Sequence, residues 1–143
     1  YAQGDQRRSR SAAQNIIPNA NASAACVEQL LPRFAGRLSG CALNVPVQRG
    51  SLLDLNCVLR EVANAEAIND VIRAAAAARP RMIAVAEDPI VSSDVIGCRQ
   101  TLLFDARGTQ RAGSRMVKTL AWYETLGHAC RVLDVVRTYA ALA

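Results

Sequence analysis

The amino-acid sequence predicts an α+β domain, with one mostly antiparallel sheet and helices packed on one face. Three observations carry this expectation. Strand-like runs cluster with few helices between them, in the order loop, α, β, β, α, β, β, β, α, which leaves little room for repeated crossover helices. The run at 51–60 alternates, with Leu53, Leu55, Cys57 and Leu59 on one side and Asp54, Asn56 and Val58 on the other. Two long segments repeat apolar residues at the 3.6-residue period of a helix.

Taken in order, residues 1–18 read as a polar, arginine-rich arm closed by Ile16-Ile17-Pro18. Asn19-Ala20-Asn21 supplies turn and N-cap chemistry for a helix at 22–31, which carries Val27, Leu30 and Leu31 on one face and stops at Pro32 and Gly36. Two strands, 38–47 and 51–60, flank the turn-like Gln48-Arg49-Gly50. Asn64 caps a helix of about 15 residues, with the stripe Ile68, Val71, Ile72 and Ala75 ended by Arg79-Pro80. Strands are expected at 82–86, 101–105 and 115–123. The last segment, 126–142, reads as a helix with the stripe Ala129, Val132, Leu133, Val136 and Ala140.

Composition narrows the function classes. With 143 residues the chain can bury one core, and 51% hydrophobic with 20% charged residues fits a folded domain better than a disordered tail. Charged residues, Gly or Pro interrupt every apolar stretch well short of the roughly 20 residues of a membrane span. No signal peptide is visible, since the first ten residues are polar and no apolar stretch follows; we therefore expect a cytoplasmic protein. The net charge is +5, and Lys118 is the only lysine, so nearly all the cations are arginines. Outside Arg7-Arg8-Ser9-Arg10 they are spread along the chain, with no aromatic stacking platform, which argues against a nucleic-acid surface. Cys26, Cys41, Cys57, Cys98 and Cys130 form no C-x-x-C pair, and with the lone His128 they give no zinc-ligand spacing. We expect reduced thiols and an ordinary, partly exposed histidine.

Six blocks, in register across nearly the whole chain, carry a family likeness. They are Arg7-Arg8-Ser9-Arg10-Ser11-Ala12-Ala13-Gln14-Asn15-Ile16-Ile17-Pro18; Leu31-Pro32 with Gly36-Arg37-Leu38-Ser39-Gly40; Val45-Pro46 with Leu53-Asp54-Leu55; Ile90-Val91-Ser92-Ser93-Asp94; Phe104-Asp105-Ala106; and Val117-Lys118 with Trp122-Tyr123 and Arg131-Val132-Leu133-Asp134. Together they resemble the glyceraldehyde-3-phosphate and erythrose-4-phosphate dehydrogenase family, from the end of its S-loop onward. Gly108-Thr109-Gln110 and the doubled arginine lean toward the erythrose-4-phosphate branch.

The resemblance implies residues 1–18 as an S-loop-like arm and 19–143 as part of a C-terminal catalytic domain. The family it points to uses NAD, a nucleophilic cysteine in an "SCTTN" stretch and a histidine just before the S-loop. No residue here matches that cysteine or histidine, and no glycine-rich dinucleotide turn occurs, so we expect no NAD-binding domain and no catalytic residue in these 143 residues. The family's phosphate-binding "P-x-S-T-G" reads Pro18-Asn19-Ala20-Asn21-Ala22 here, with Asn21 at the Thr position and Ala22 at the Gly position. Asn44 stands where the family supplies an arginine to the substrate phosphate. The family's nicotinamide-binding "WYDNE" reads Trp122-Tyr123-Glu124-Thr125-Leu126, without the Asn.

Asn21, Ala22 and Asn44 are thus the candidate phosphate-binding residues, in eroded form, with phosphate or sulfate as the ligand class. Two roles follow from the resemblance. One is the catalytic-domain portion of an NAD-dependent sugar-phosphate dehydrogenase, inactive by itself and binding no NAD alone. The other is a catalytically dead oligomerisation or protein-binding module, whose partner is a second copy or an NAD-binding domain covering the last helix.

Overall fold

The computed structural model describes residues 6, 7 and 9–142, in two units that meet at Gln48 and Arg49. Tyr1 and Arg8, with the rest of residues 1–5 of the expected arm, lie outside the described residues.

In the first unit, β1 (Ile17–Asn19) pairs antiparallel with β2 (Ala42–Asn44), and Ile17 stands opposite Asn44. Between them run α1 (Ser23–Leu30) and a short 3-10 turn at Pro32–Phe34. Proline cannot donate a further helical hydrogen bond, and the Leu31 N–H closes the helix on the Val27 carbonyl at 2.8 Å. The expected strand at 38–47 therefore shrinks to three residues. The end of the arm, read as irregular, becomes β1. Pro18 removes a ladder donor and is tolerated because a two-stranded sheet has only edge strands. Ile17 is buried, whereas α1 has no buried residue.

The second unit contains β3 (Ser51–Val58), α2 (Ala65–Ala78), β4 (Ile83–Ala86), β5 (Leu102–Ala112), β6 (Met116–Tyr123) and α3 (Thr125–Ala140). Its sheet runs β3-β6-β5-β4. The β3–β6 and β6–β5 ladders are antiparallel and the β5–β4 ladder is parallel. The fold is thus α+β, with a mixed four-stranded sheet and a separate two-stranded one where the sequence predicted a single sheet. The runs at 38–47 and 51–60 do not pair with each other; β2 finds β1, and β3 finds β6 across more than fifty residues.

The core is small and lies along β5 and β6. Phe104, Ala106, Val117 and Ala121 are buried, with Val95 from the 3-10 turn at Ser92–Val95 completely so. Ala121 faces Phe104 on β5 and Leu53 on β3, so a small residue sits where two larger neighbours converge. Beside them is a buried carboxylate. Asp105 Oδ1 accepts the N–H groups of Arg107 and Gly108 at 3.1 and 2.9 Å, and Oδ2 accepts from Trp122 Nε1 at 3.2 Å. The two backbone bonds fold β5 back on itself, and the ladder skips from Asp105 to Gln110 while β6 advances from Leu120 to Lys118. At Gly108 an added Cβ would stand 2.8 Å from the Leu120 Cβ, so the bulge requires a residue without a side chain. This bulge extends β5 past residue 105, where the sequence reading ended it.

Asn69 is the buried polar residue of α2. It donates through Nδ2 to the Ala106 carbonyl at 3.0 Å and accepts at Oδ1 from the Thr109 hydroxyl at 2.7 Å. The bulge thus leaves backbone and hydroxyl groups that α2 satisfies. The α2 cap is as predicted, with Asn64 Oδ1 accepting the Ala67 N–H at 2.7 Å. The inward stripe is rotated from the expected one. Val71 is 68% exposed, and Asn69 takes the sheltered place beside Ile68 and Ile72.

The α3 helix departs further. Its expected stripe points outward, with Val132, Leu133 and Val136 each at least half exposed, and Ala129 and Ala140 exposed too. The sheltered positions are Gly127, Cys130, Arg131 and Asp134. Gly127 explains the choice of face. A Cβ there would lie 2.1 Å from the Gln100 carbonyl oxygen, so α3 approaches the loop before β5 closely along this side. Gly127→Ala should lower stability by about 1–3 kcal/mol. Gly40→Ala, at an ordinary backbone conformation with nothing near its Cβ, should change it by less than about 0.5 kcal/mol. Urea unfolding of both variants checks this; equal midpoints would contradict the close approach.

Candidate functional site

The predicted phosphate-binding residues all lie in the first unit. Asn21 sits just before α1, and its Oδ1 accepts the Ser23 N–H at 3.1 Å. That leaves its two amide hydrogens as donors. Ala22 is the N-cap residue, and its carbonyl accepts from Cys26 at 2.9 Å. Its φ of −93° is ordinary for any L-residue, so the backbone does not require a glycine there. The next two amides, of Ala24 and Ala25, have no hydrogen-bond partner among the described residues. They and the helix dipole give this end of α1 a positive potential.

Asn44 ends β2 opposite Ile17, at the far end of the ladder from Asn19. Two residues of strand, about 6.6 Å, separate those ladder positions. The hairpin-like pairing thus brings the Asn44 strand alongside the segment that leads into Asn21, although the two residues are far apart in sequence. A groove of about 440 Å³ lies at the Ile17 end, lined by Arg7, Arg10, Asn15 and Pro18 among others. None of Asn21, Ala22 and Asn44 lines it. Sequence reasoning treated the arginine cluster only as a motif and did not single out Arg10 or Asn15 as groove residues. The signal available was two cations at i and i+3, next to an amide side chain, before an apolar pair. Asn19 was also passed over. Its Nδ2 donates to the Ile17 carbonyl at 3.1 Å, while its Oδ1 is buried with no partner among the described residues. Such an orphan acceptor costs about 1–3 kcal/mol unless a donor reaches it.

In the second unit, Glu124 lies one residue before Thr125, the position that the resemblance aligned with the family's nicotinamide-binding Asn. Its side chain is 3% exposed, accepts the Leu126 N–H at 2.8 Å and pairs with the Arg49 guanidinium. Both oxygens of Glu124 are therefore engaged by the protein itself, and one caps α3. The Leu126 N–H, followed by Arg49, holds its carboxyl below the ordinary 4.5. His128 is exposed on α3, and the five cysteines are all free thiols. Among the described residues no group of three His, Cys, Asp or Glu side chains could hold a metal ion. No described helix is long and apolar enough to cross a membrane.

Residues 1–125 match the family described as "Glyceraldehyde 3-phosphate dehydrogenase, C-terminal domain". The whole chain is 38% identical to the glyceraldehyde-3-phosphate dehydrogenase of Clostridium acetobutylicum, covering 43% of that protein. It is 37% identical to that of Kitasatospora aureofaciens over 96% of the chain and 42% of the relative. With that of Schistosoma mansoni the identity is 36%, over 91% of the chain and 39% of the relative. The chain thus spans about two fifths of the length of these relatives.

The Glu124 geometry has a pH consequence. A carboxyl whose folded pKa is depressed stabilises the fold above its unfolded pKa, near 4.5, and that contribution is lost as pH falls through the lower folded value. Glu124→Gln should flatten the acid limb of stability below pH 4.5. Denaturant midpoints measured from neutral pH down to about 3 provide the check; parallel acid limbs in the two proteins would refute it.

Proposed function

Because this chain belongs to the glyceraldehyde-3-phosphate dehydrogenase C-terminal domain family, we propose that it supplies the phosphate-side part of a sugar-phosphate dehydrogenase site and does not oxidise an aldehyde by itself. One observation carries the reading. The β1–α1 segment presents a helix start with open amides and the Asn21 carboxamide, while none of the five cysteines or His128 aligns with the family's nucleophile or base.

In this role the Ala24 and Ala25 amides and the Asn21 Nδ2 group donate to phosphate oxygens. Their attraction is weak because Asn44 brings no cation. A guanidinium there would add a charge-assisted contact of about 1.5–3 kcal/mol. NAD, the coenzyme of the family, supplies hydride acceptance when bound to a complete enzyme. The residues here do not reproduce its amide contact: Thr125 stands at the position of the family's Asn and brings no carboxamide, and Glu124 beside it is committed to Arg49 and Leu126. No step through NAD is assigned to this chain. Free thiols at all five cysteines suit a reducing, cytoplasmic setting.

A second reading, an assembly module, draws on the outward apolar face of α3 at Val132, Leu133 and Val136. Coverage of that face by a second copy or by a nucleotide-binding domain would remove it from water.

Calorimetric titration and a coupled NADH assay test the first reading. We expect no saturable NAD binding, no NADH from glyceraldehyde 3-phosphate with phosphate, and weak binding of phosphate at α1. Asn44→Arg should tighten phosphate binding by about tenfold or more. NADH production by the purified chain would overturn the reading.

A further inference from the structure

Away from that site, α3 and the loops entering β4 and β5 enclose a second groove of about 490 Å³. Its α3 wall is one helix face, with Leu126, Cys130, Leu133, Asp134 and Arg137 following the helical repeat. Four arginines line it, Arg81, Arg99, Arg131 and Arg137, against a single carboxylate, Asp134. The lining therefore carries a surplus of three positive charges.

Asp134 is oversubscribed. It pairs with Arg81, with Arg131 at 2.9 Å and, loosely, with Arg137 at 3.7 Å. Two oxygens cannot satisfy three guanidiniums of five N–H donors each. Arg131 is the fixed member. It is 18% exposed and also donates to the Arg81 carbonyl at 2.6 Å. Arg99 is exposed and has no hydrogen-bond or ion-pair partner among the described residues. Arg81 and Arg137 reach solvent from the same rim. Convergent guanidiniums with unused donors match phosphoryl oxygens, which they bind in paired, charge-assisted hydrogen bonds.

We propose that this groove binds a small phosphate polyanion of the pyrophosphate class. Charge sets the class: one phosphoryl group brings about −1.5 to −2, less than the surplus, and two linked groups meet it. Size agrees, since the groove falls in the range of small-molecule sites, roughly 300–1,000 Å³. Leu126 and Leu133 give part of its wall an apolar surface, which suits a ligand enclosed on one side more than an extended polymer backbone. The inference is independent of the phosphate site at α1, and it requires neither NAD nor a partner.

The test is calorimetric titration of the whole chain with pyrophosphate, at low salt and at about 0.15 M salt. Orthophosphate is the comparison ligand. The expected result is one saturable pyrophosphate site, tighter than that for orthophosphate. Binding should weaken by about tenfold or more in the Arg99→Ser/Arg137→Ser variant and stay unchanged in Gly40→Ala, a position with nothing near its Cβ; dependence on the two arginines separates this groove from the α1 site. Should the double variant not fold, Arg99→Gln alone removes an unpartnered surface cation and should still weaken binding by about threefold. Absence of saturation would overturn the proposal, as would wild-type affinity in the arginine variants. So would arginine-dependent binding of a single-stranded oligonucleotide that tightens with length and outcompetes pyrophosphate.

Discussion

The second unit depends on one buried carboxylate. Asp105 sits in the middle of the sheet at 6% exposure, where an unpartnered charge would be costly. Three N–H groups satisfy it, two from the backbone just beyond and one from the Trp122 indole. Each has a structural consequence. The backbone donors create the bulge in β5, and the indole ties β5 to β6. The bulge in turn presents Ala106 and Thr109 to Asn69, so α2 is positioned by polar groups that the Asp105 turn exposes. A chain with few large core residues thereby gains a defined register. Apolar burial alone would not distinguish that register from a slipped one.

The α3 helix is held on different terms. Its close contacts are the Gly127 approach to Gln100, the Arg131 bond to the Arg81 carbonyl and the Glu124 cap shared with Arg49. Polar anchoring fixes the helix while Val132, Val135 and Val136 face away and Leu126 and Leu133 border the arginine groove. This one arrangement produces two surfaces of opposite character. One is a face of valine and leucine suited to protein coverage. The other is a groove of guanidiniums suited to anions. The same Gly127 contact decides both, because it sets the rotation of the helix about its axis.

The two candidate anion sites differ in physics as well as place. At α1 the candidate donors are backbone amides and a carboxamide, which carry only partial charges, and Asn44 brings no cation. At α3 the donors are full cations gathered around one carboxylate. A dianion should therefore feel a short-range, geometry-limited attraction at the first site and a stronger, salt-sensitive one at the second.

Much of this was legible in the sequence. Asn64 before an apolar repeat marked the α2 cap, Pro32 marked the end of α1, and the runs at 82–86 and 115–123 lie close to β4 and β6. Six motif blocks were enough to identify the family, and they named Asn21, Ala22 and Asn44 as candidate phosphate-binding positions. These features are local, since a cap, a chain break or a motif needs only its neighbours. What only the tertiary structure decided was pairing and facing. β2 joined β1 instead of β3, Ile17–Asn19 became a strand, β5 ran on through its bulge, and α3 turned its apolar stripe outward. Each outcome depends on a partner distant in the chain: Ile17 for Asn44, Trp122 for Asp105, Gln100 for Gly127. The arginine groove belongs to the same class. Arg81, Arg99, Arg131 and Arg137 appear scattered along the sequence, and folding brings them to one groove, with three of them on the Asp134 carboxylate.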